Sequence, residues 1–307
     1  MRIAVLGCGA MGSIYTALLA SSGHDVIAID NNNEHVRAIN THGLRVTGAS
    51  GDRCIKIPAY TQPIDQPTEL LIIAVKGKQI EPACTLAKPL IDRETLILTI
   101  QNGLGSSDEV ADLVGKDRLI VGVAQGFGAS LKAPGHAHHN AMKAIKMGAY
   151  TDTGKQWVIP VIELFQKAGF DASSAPDILA MQWEKLICNA AYSALCALTG
   201  QTIGEVMADP VIGPVSRNAA IEAWQTAIAN QVAIDVTDPV QLVQDFAQRM
   251  PNAKPSVLLD IEAGRFSEIS MINGAIPKAA EKAGKTAPIN ATLTALVEAL
   301  EKRTINP

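Results

Sequence analysis

The sequence predicts an α/β fold, an N-terminal doubly wound parallel sheet, followed by an all-α C-terminal domain. Three observations predict it. Short runs rich in Ile, Val and Leu alternate with amphipathic stretches of helical length through the first half. A glycine-rich turn spans Gly7 to Gly12, where the first strand should hand over to the first helix. Beyond about residue 176 strand signals stop, and helical periodicity runs to the end, punctuated by Pro210, Pro239, Pro251, Pro255, Pro277 and Pro288.

In chain order, strands are expected at residues 2–6, 25–29, 70–75, 95–100 and 119–123, with helices between them at 11–22, 33–41, 80–87 and 107–114. Such continuously apolar strands suit a parallel sheet covered on both faces. Around 133–150 the pattern turns irregular, with Pro134-Gly135 as a turn and alternating residues that add edge strands. One more helix is expected at 156–168, and a long one at 177–198. The small-residue stretch 169–176 puts the domain boundary near residue 174, giving domains of 1–174 and 175–307.

A chain of 307 residues with 48% hydrophobic content can bury two such cores, which excludes a disordered or disulfide-stapled chain. With 26 Lys and Arg against 30 Asp and Glu, the net charge of −4 offers no field for nucleic acid or an anionic membrane surface. Charged residues make up only 18%, yet no apolar stretch approaches the ~20 residues a bilayer demands, so a soluble protein is expected. The N-terminal IAVLGCGAMG after Arg2 superficially resembles a secretory leader, but its glycines and the early His24-Asp25 argue against one. The five cysteines show neither C-x-x-C nor Cys/His ligand spacing, which implies reduced thiols, a cytoplasmic location and no metal site. His136, His138 and His139 follow a turn too closely to suggest a ligand set and read as structural.

The turn Gly7-Cys8-Gly9-Ala10-Met11-Gly12 has the context of a Rossmann-type dinucleotide fingerprint. Gly7 permits a tight turn, Gly9 lets a pyrophosphate approach the backbone, and Gly12 lets helix and strand pack closely; the helix N-terminus offers amides and positive dipole to the phosphates. Glycine-rich turns also occur without a nucleotide. Here, however, an acidic partner is present: Asp30 closes the second strand 18 residues after Gly12, where a carboxylate accepts hydrogen bonds from ribose hydroxyls. The same carboxylate repels a 2′-phosphate, and Asn31-Asn32-Asn33 supplies no cation to neutralise one. NADH is therefore favoured over NADPH.

The helix at 177–198 is largely apolar but carries Lys185, Asn189 and Ser193 at i, i+4 and i+8, on one face. In an arbitrary helix such a lysine snorkels to solvent and the asparagine satisfies nearby backbone. Beside a nicotinamide site a sharper role is available. A carbonyl that accepts hydride needs a proton donor, and a partly desolvated lysine, its pKa lowered toward neutrality, supplies one. An interdomain cleft is the expected place for this polar stripe. No Ser-His-Asp order, carboxylate pair or metal ligand set competes for the role.

GCGAMG at 7–12, AVKGKQ at 74–79, QNGLG at 101–105, PGHAHH at 134–139, WEKLICNAAYSAL at 183–195, KPSVLLDIEAGRFSEISMINGAI at 254–276 and APINATLTALV at 287–297 together resemble the ketopantoate reductase (2-dehydropantoate 2-reductase) family. The matches cover nearly the whole chain in the family's order. The resemblance implies NAD(P)H-dependent reduction of a branched 2-oxo acid, ketopantoate to pantoate on the way to pantothenate and coenzyme A. NADPH is that family's usual cofactor. Lys185 matches the catalytic lysine, Asn189 the substrate-binding asparagine one turn later, and Ser256 a serine that contacts substrate. Glu268 matches an acidic residue on the cofactor and lysine side, expected to hold the orientation or protonation of Lys185. Lys76 and Asn102 match positions lining the cofactor, Asn102 also near substrate, and Gly128 matches a small residue beside the nicotinamide.

The chain also departs from the family. Ser193 replaces a second asparagine on the helical face, Ala253 replaces an asparagine that contacts substrate, and Asp30 replaces the usual basic residue for the 2′-phosphate. Asp30 fits equally an NAD-dependent D-2-hydroxyacid dehydrogenase of the same fold. β-Hydroxyacid dehydrogenases place a glycine-rich run before their helix lysine, and residues 177–184 contain no glycine. A dinucleotide-sensing protein without turnover needs only the fingerprint and Asp30, and leaves Lys185, Asn189 and Ser256 unexplained. A small-molecule 2-oxo acid is the expected partner, and a homodimer through the C-terminal helices is compatible with the sequence.

Overall fold

In the computed structural model, which describes residues 1–126, 128–142 and 144–305, the N-terminal apolar runs become strands. The elements begin β1 (Arg2–Leu6), α1 (Ala10–Ser21), β2 (Asp25–Ile29), α2 (Asn33–His42), β3 (Leu44–Gly48), β4 (Arg53–Ile55), β5 (Ala59–Tyr60), β6 (Leu70–Ile73) and α3 (Ile80–Leu86). They continue with β7 (Leu96–Thr99), α4 (Ser106–Val114), β8 (Leu119–Ala124), β9 (Gly128–Ala133), β10 (His136–Ala141), β11 (Ala144–Ala149), α5 (Lys155–Lys167) and β12 (Asp171–Ser174). The chain divides into two compact units, Met1–Gln101 with Ser106–Ile178, and Asn102–Gly105 with Leu179–Pro307.

The first unit is a Rossmann-type α/β fold. Its main sheet has eight strands in the order β12-β11-β8-β7-β6-β1-β2-β5. From β5 across to β8 all neighbours are parallel. After β8 the chain returns through a hairpin instead of a crossover helix, so β11 runs antiparallel to β8 and carries β12 with it. Strands β6 and β7 are buried at every position, as helices on both faces require. From β1 the chain moves to β2 on one side and later returns to β6 on the other. That reversal opens a crevice at the carboxyl ends of β1 and β6.

A second, four-stranded sheet in the order β4-β3-β10-β9 packs against α1. Lying between two sheets, α1 buries every residue from Gly12 to Leu19, so it has no polar face to give it a helical period. Periodicity alone places no strand at 44–48, 53–55 or 59–60. These strands are short and half exposed, with Arg45 and Arg53 among their residues, and their stability comes from pairing rather than from an apolar pattern. The stretch 169–176 likewise contains a strand, β12, made of Asp-Ala-Ser-Ser and tied to β11 by Lys146 Nζ donating to Ser173 Oγ at 2.7 Å. The irregular stretch at 133–150 resolves into β10 and β11; its Lys143, with Asn306 and Pro307 of the C-terminal domain, lies outside the described residues.

The second unit is all-α among the described residues. Its helices are α6 (Ile178–Thr199, which starts on the last residue of the first unit), α7 (Ile203–Ala208), α8 (Ile212–Ala229), α9 (Pro239–Arg249), α10 (Ser256–Glu262), α11 (Ala275–Lys282) and α12 (Pro288–Ile305). Pro239 and Pro288 open their helices, where a missing amide costs nothing. The core of the unit is mostly small and aliphatic, with α6 contributing Leu186, Ile187, Ala190, Ala191 and Ala194. It also holds polar groups: Asn273 and Asn290 are fully buried and hydrogen-bonded to each other at 2.9 Å, and both backbone amides at the start of α12 donate to Glu222. No helix among the described residues is long and apolar enough to cross a membrane. All five cysteines are free thiols.

Candidate active site

The glycine-rich loop joins β1 to α1, and each glycine has a distinct reason to be glycine. Gly7 has φ +90°, and a Cβ there would lie 2.7 Å from Val75. A Cβ on Gly12 would lie 2.0 Å from the carbonyl oxygen of Gly7. At Gly9, in contrast, a Cβ would meet nothing within 4 Å. Gly7 and Gly12 are thus required by the protein's own packing, while Gly9 keeps space open in front of the helix. Gly9 is the N-cap of α1 and offers no side chain to the helix, so the first-turn amides of Ala10, Met11 and Gly12 carry the usual donor capacity of a helix start. These features fit a dinucleotide pyrophosphate.

The amides of Gly7 and Cys8 both donate to Ile29 O, which fastens the loop to the end of β2. The Cys8 thiol points into the core beside Ser13 and Thr16, and burial pushes its pKa up to about 11. Only the backbone of Cys8 can therefore face a ligand. Asp30 follows β2 directly, half-buried, and accepts the Asn32 amide at 2.9 Å; Asn32 in turn caps α2. Lys76 lies three residues past β6 and is half-buried. Gly7, Asp30 and Lys76 so come together at the carboxyl ends of three adjacent strands. Gly128 stands elsewhere, opening β9 in the smaller sheet. Gln101, which carried no sequence signal beyond its place in QNGLG, donates to Ile73 O at 2.8 Å and Val75 O at 3.1 Å and so braces the turn leading to Lys76.

In the second unit, three residues widely separated in sequence form one hydrogen-bonded chain. Lys185 Nζ on α6 donates to Asn102 Oδ1 at 2.8 Å, and Asn102 Nδ2 donates to Glu268 Oε2 at 3.3 Å. All three side chains are half-buried. Burial lowers the Lys185 pKa to about 8, with the Glu268 carboxylate pulling in the opposite direction. The amide of Asn102 thus bridges an ammonium and a carboxylate, an arrangement that aims the lysine and ties its charge to Glu268.

Backbone geometry explains how Asn102 gets there. Gly103 has φ +86°, and a Cβ on it would fall 1.9 Å from Met271 O, while Leu104 N donates to that same oxygen at 2.9 Å. Segment Asn102–Gly105 therefore lies directly on the 3-10 turn Ile269–Met271 that follows Glu268. Gly103 sits in the QNGLG motif, but nothing in one sequence links it to residue 271.

The remaining site candidates are placed by their elements. Asn189 and Ser193 continue the Lys185 face of α6, Asn189 half-buried and Ser193 2% exposed. Ser256 is exposed at the first position of α10, and the half-buried Ala253 uses its carbonyl to accept the Ile203 amide. His136 and His138 both hydrogen-bond Thr47 at 3.0 Å across the strands of the smaller sheet. No group of three or more His, Cys, Asp or Glu among the described residues is arranged to hold a metal ion.

Comparison with known proteins agrees with this architecture. Residues 3–152 match the family model described as "Ketopantoate reductase PanE/ApbA", and residues 177–301 match its C-terminal counterpart. A 2-dehydropantoate 2-reductase of Pyrococcus horikoshii is 31% identical, over 98% of both chains. The crystal structure of 2-dehydropantoate 2-reductase from Geobacter metallireducens is 31% identical, covers 97% of this chain and 99% of its own, and superposes with a TM-score of 0.90. D-mandelate dehydrogenase, solved with NADH and anilino(oxo)acetate, is 25% identical over 99% of both chains with a TM-score of 0.92. This chain belongs to the ketopantoate reductase family.

Proposed function

We propose that the protein reduces the carbonyl of a branched 2-oxo acid, ketopantoate to pantoate, with NAD(P)H as reductant and Lys185 as general acid. The observation that carries this reading is the chain from Lys185 through Asn102 to Glu268. A bound reduced dinucleotide supplies the hydride. The residues we assign to holding it are the loop Gly7–Gly12 through its backbone, Asp30 at the ribose and Lys76. For Asn102, Gly128 and Glu268 a place near it is implied by the family resemblance alone, and Asn102 and Glu268 act chiefly on Lys185. Lys185 delivers its proton to the carbonyl oxygen as that oxygen becomes a hydroxyl, then takes another from solvent. A lysine with a pKa of about 8 is mostly charged at neutral pH, yet gives up its proton far more readily than an ordinary one. Asn189, Ser193 and Ser256 are the donors we assign to the substrate. The free thiols fit a reducing compartment, and we read the enzyme as cytoplasmic.

Asp30 favours NADH, because its carboxylate repels a 2′-phosphate and the three residues that follow it, Asn31 to Asn33, bring no positive charge. Together with the likeness to an NADH-bound D-mandelate dehydrogenase, this supports a second reading, an NAD-dependent D-2-hydroxyacid dehydrogenase that uses the same lysine.

The deciding experiment measures kcat/KM for NADH and NADPH against ketopantoate and 2-oxoisovalerate. The first reading expects ketopantoate to be the better substrate, and the second expects 2-oxoisovalerate with NADH. Lys185→Ala should lower kcat by about 10²–10⁴-fold, the range typical of general acid catalysis. Near wild-type turnover in that variant would overturn the acid assignment, and NADH binding without turnover of any 2-oxo acid would leave a dinucleotide sensor.

A further inference from the structure

Helix α12 buries Leu293, Val297 and Glu301 along one stripe of i+4 spacing, so a carboxyl group occupies a position where its neighbours are aliphatic. Glu301 is 1% exposed. Placing a carboxyl there is unfavourable unless its oxygens find donors. Oε1 finds two on one residue: the Ser267 amide donates to it at 2.8 Å, and the Ser267 hydroxyl donates to the same oxygen. The Ser267 hydroxyl oxygen also accepts the Ile269 amide at 3.2 Å. These bonds bracket Glu268 on both sides. The turn they secure, Ile269–Met271, is the one on which Gly103 and Leu104 rest, and Asn102 precedes them. Two of the three members of the Lys185 chain are therefore held by one turn, and that turn is held from α12.

We propose that Glu301 is a positioning residue for this chain: through Ser267 it sets where Glu268 and Asn102 stand relative to Lys185. The proposal rests on the reading of Lys185 as the general acid. If packing alone were wanted, an aliphatic residue would fill the stripe with no desolvation to offset. A carboxyl group instead gives an acceptor that fixes both the backbone and the side chain of the residue before Glu268.

Four variants test this: Glu301→Gln, which keeps an acceptor oxygen; Glu301→Leu, which keeps volume without one; Ser267→Ala, which removes only the hydroxyl link; and Lys185→Ala. The primary readout is the pH dependence of Lys185 labelling by an amine-reactive reagent, followed by mass spectrometry without substrate. Glu301→Leu and Ser267→Ala should move the Lys185 midpoint down by about half a pH unit or more as Glu268 loses its position. Both should lower kcat about tenfold while the NADH Kd stays within about twofold, and Glu301→Gln should keep near wild-type values on every readout. Unchanged labelling and kcat in both Glu301→Leu and Ser267→Ala, with only a lowered Tm, would overturn the proposal. If Glu301→Leu does not fold, Ser267→Ala decides by the same criterion. Retained activity in Lys185→Ala defeats the acid reading instead, and leaves the labelling result to judge the positioning on its own.

Discussion

The glycine-rich loop of the first unit is built from backbone, and the Lys185 chain of the second is built from side chains. In the loop, amides, a helix start and three glycines make the site, and the one reactive side chain, Cys8, is turned into the core. In the chain, Lys185, Asn102 and Glu268 come from positions 83 and 166 residues apart. A backbone site tolerates almost any side chain that points away but no change that adds a Cβ at the wrong place. A side-chain site depends on whatever holds its members in register.

Glycine substitutions separate the two most strongly. Gly12→Ala puts a Cβ against a backbone oxygen that has nowhere to go, so it should destabilise the protein by about 3 kcal/mol and abolish dinucleotide binding. Gly103→Ala meets both a positive φ and the Met271 oxygen, and displacing that turn moves Asn102. It should lower kcat by about 100-fold, while the NADH Kd of the folded protein stays within about twofold. Calorimetric titration with NADH, alongside steady-state kinetics, distinguishes these profiles. Unchanged kcat in Gly103→Ala would show that the turn does not set the chain. Gly9→Ala is the milder counterpart: with open space around it, Tm should hold within about 2 °C while the NADH Kd rises about tenfold, because only an approaching pyrophosphate meets the methyl.

The same contrast explains what could be read in advance. The strands β1, β2, β6, β7 and β8 and the loop between β1 and α1 are local patterns: a buried apolar run, a glycine spacing, an acid one strand later. They were legible because each is complete within about thirty residues. The smaller sheet was not, since β3, β4 and β9 carry charged or exposed residues, and its two local pairs, β3 with β4 and β9 with β10, become one sheet only where β3 pairs with the distant β10. The polar stripe Lys185, Asn189, Ser193 was visible as helical spacing. That Asn102 stands between Lys185 and Glu268 was not visible, because no local rule joins a loop after β7 to a turn before α11. Glu301 was invisible for the opposite reason, one acid among the charged residues EALEKR at 298–303.

A smaller effect probes the electrostatics of the chain. Glu268→Gln keeps an oxygen for Asn102 Nδ2 but removes the charge that raises the Lys185 pKa. The limb of kcat/KM that falls as pH rises through about 8 should move to lower pH by about half a unit to one unit. Asn102→Asp, which sets a carboxylate directly against Lys185 Nζ, should move it the other way. A pH-rate profile in each variant checks both signs, and identical limbs would mean that Glu268 acts by position alone.

The smallest effect tests whether the loop of the first unit is purely a backbone device. His35, 1% exposed on α2, accepts the Gly135 amide at Nδ1 at 3.0 Å, which leaves Nε2 to carry the proton toward Ser13 Oγ at 3.4 Å. Ser13 Oγ donates in turn to Cys8 O at 3.0 Å, inside the loop. An imidazolium would point an N–H at the Gly135 amide. Burial already lowers the His35 pKa from its usual 6.5, against the opposing pull of Asp30. Since the folded pKa lies below the unfolded one, the unfolded chain takes up its proton first as pH falls. The contribution is full above about pH 6.5 and is lost below it. His24 and His139 are shifted in the same direction, so wild-type stability alone cannot isolate His35. His35→Gln supplies a neutral acceptor and donor at every pH. Between pH 7 and 5 the wild type should lose more stability than this variant in urea unfolding, with its NADH affinity declining in parallel. Equal losses in the two proteins would show that the loop stands without side-chain support, and would make the division between a backbone site and a side-chain site complete.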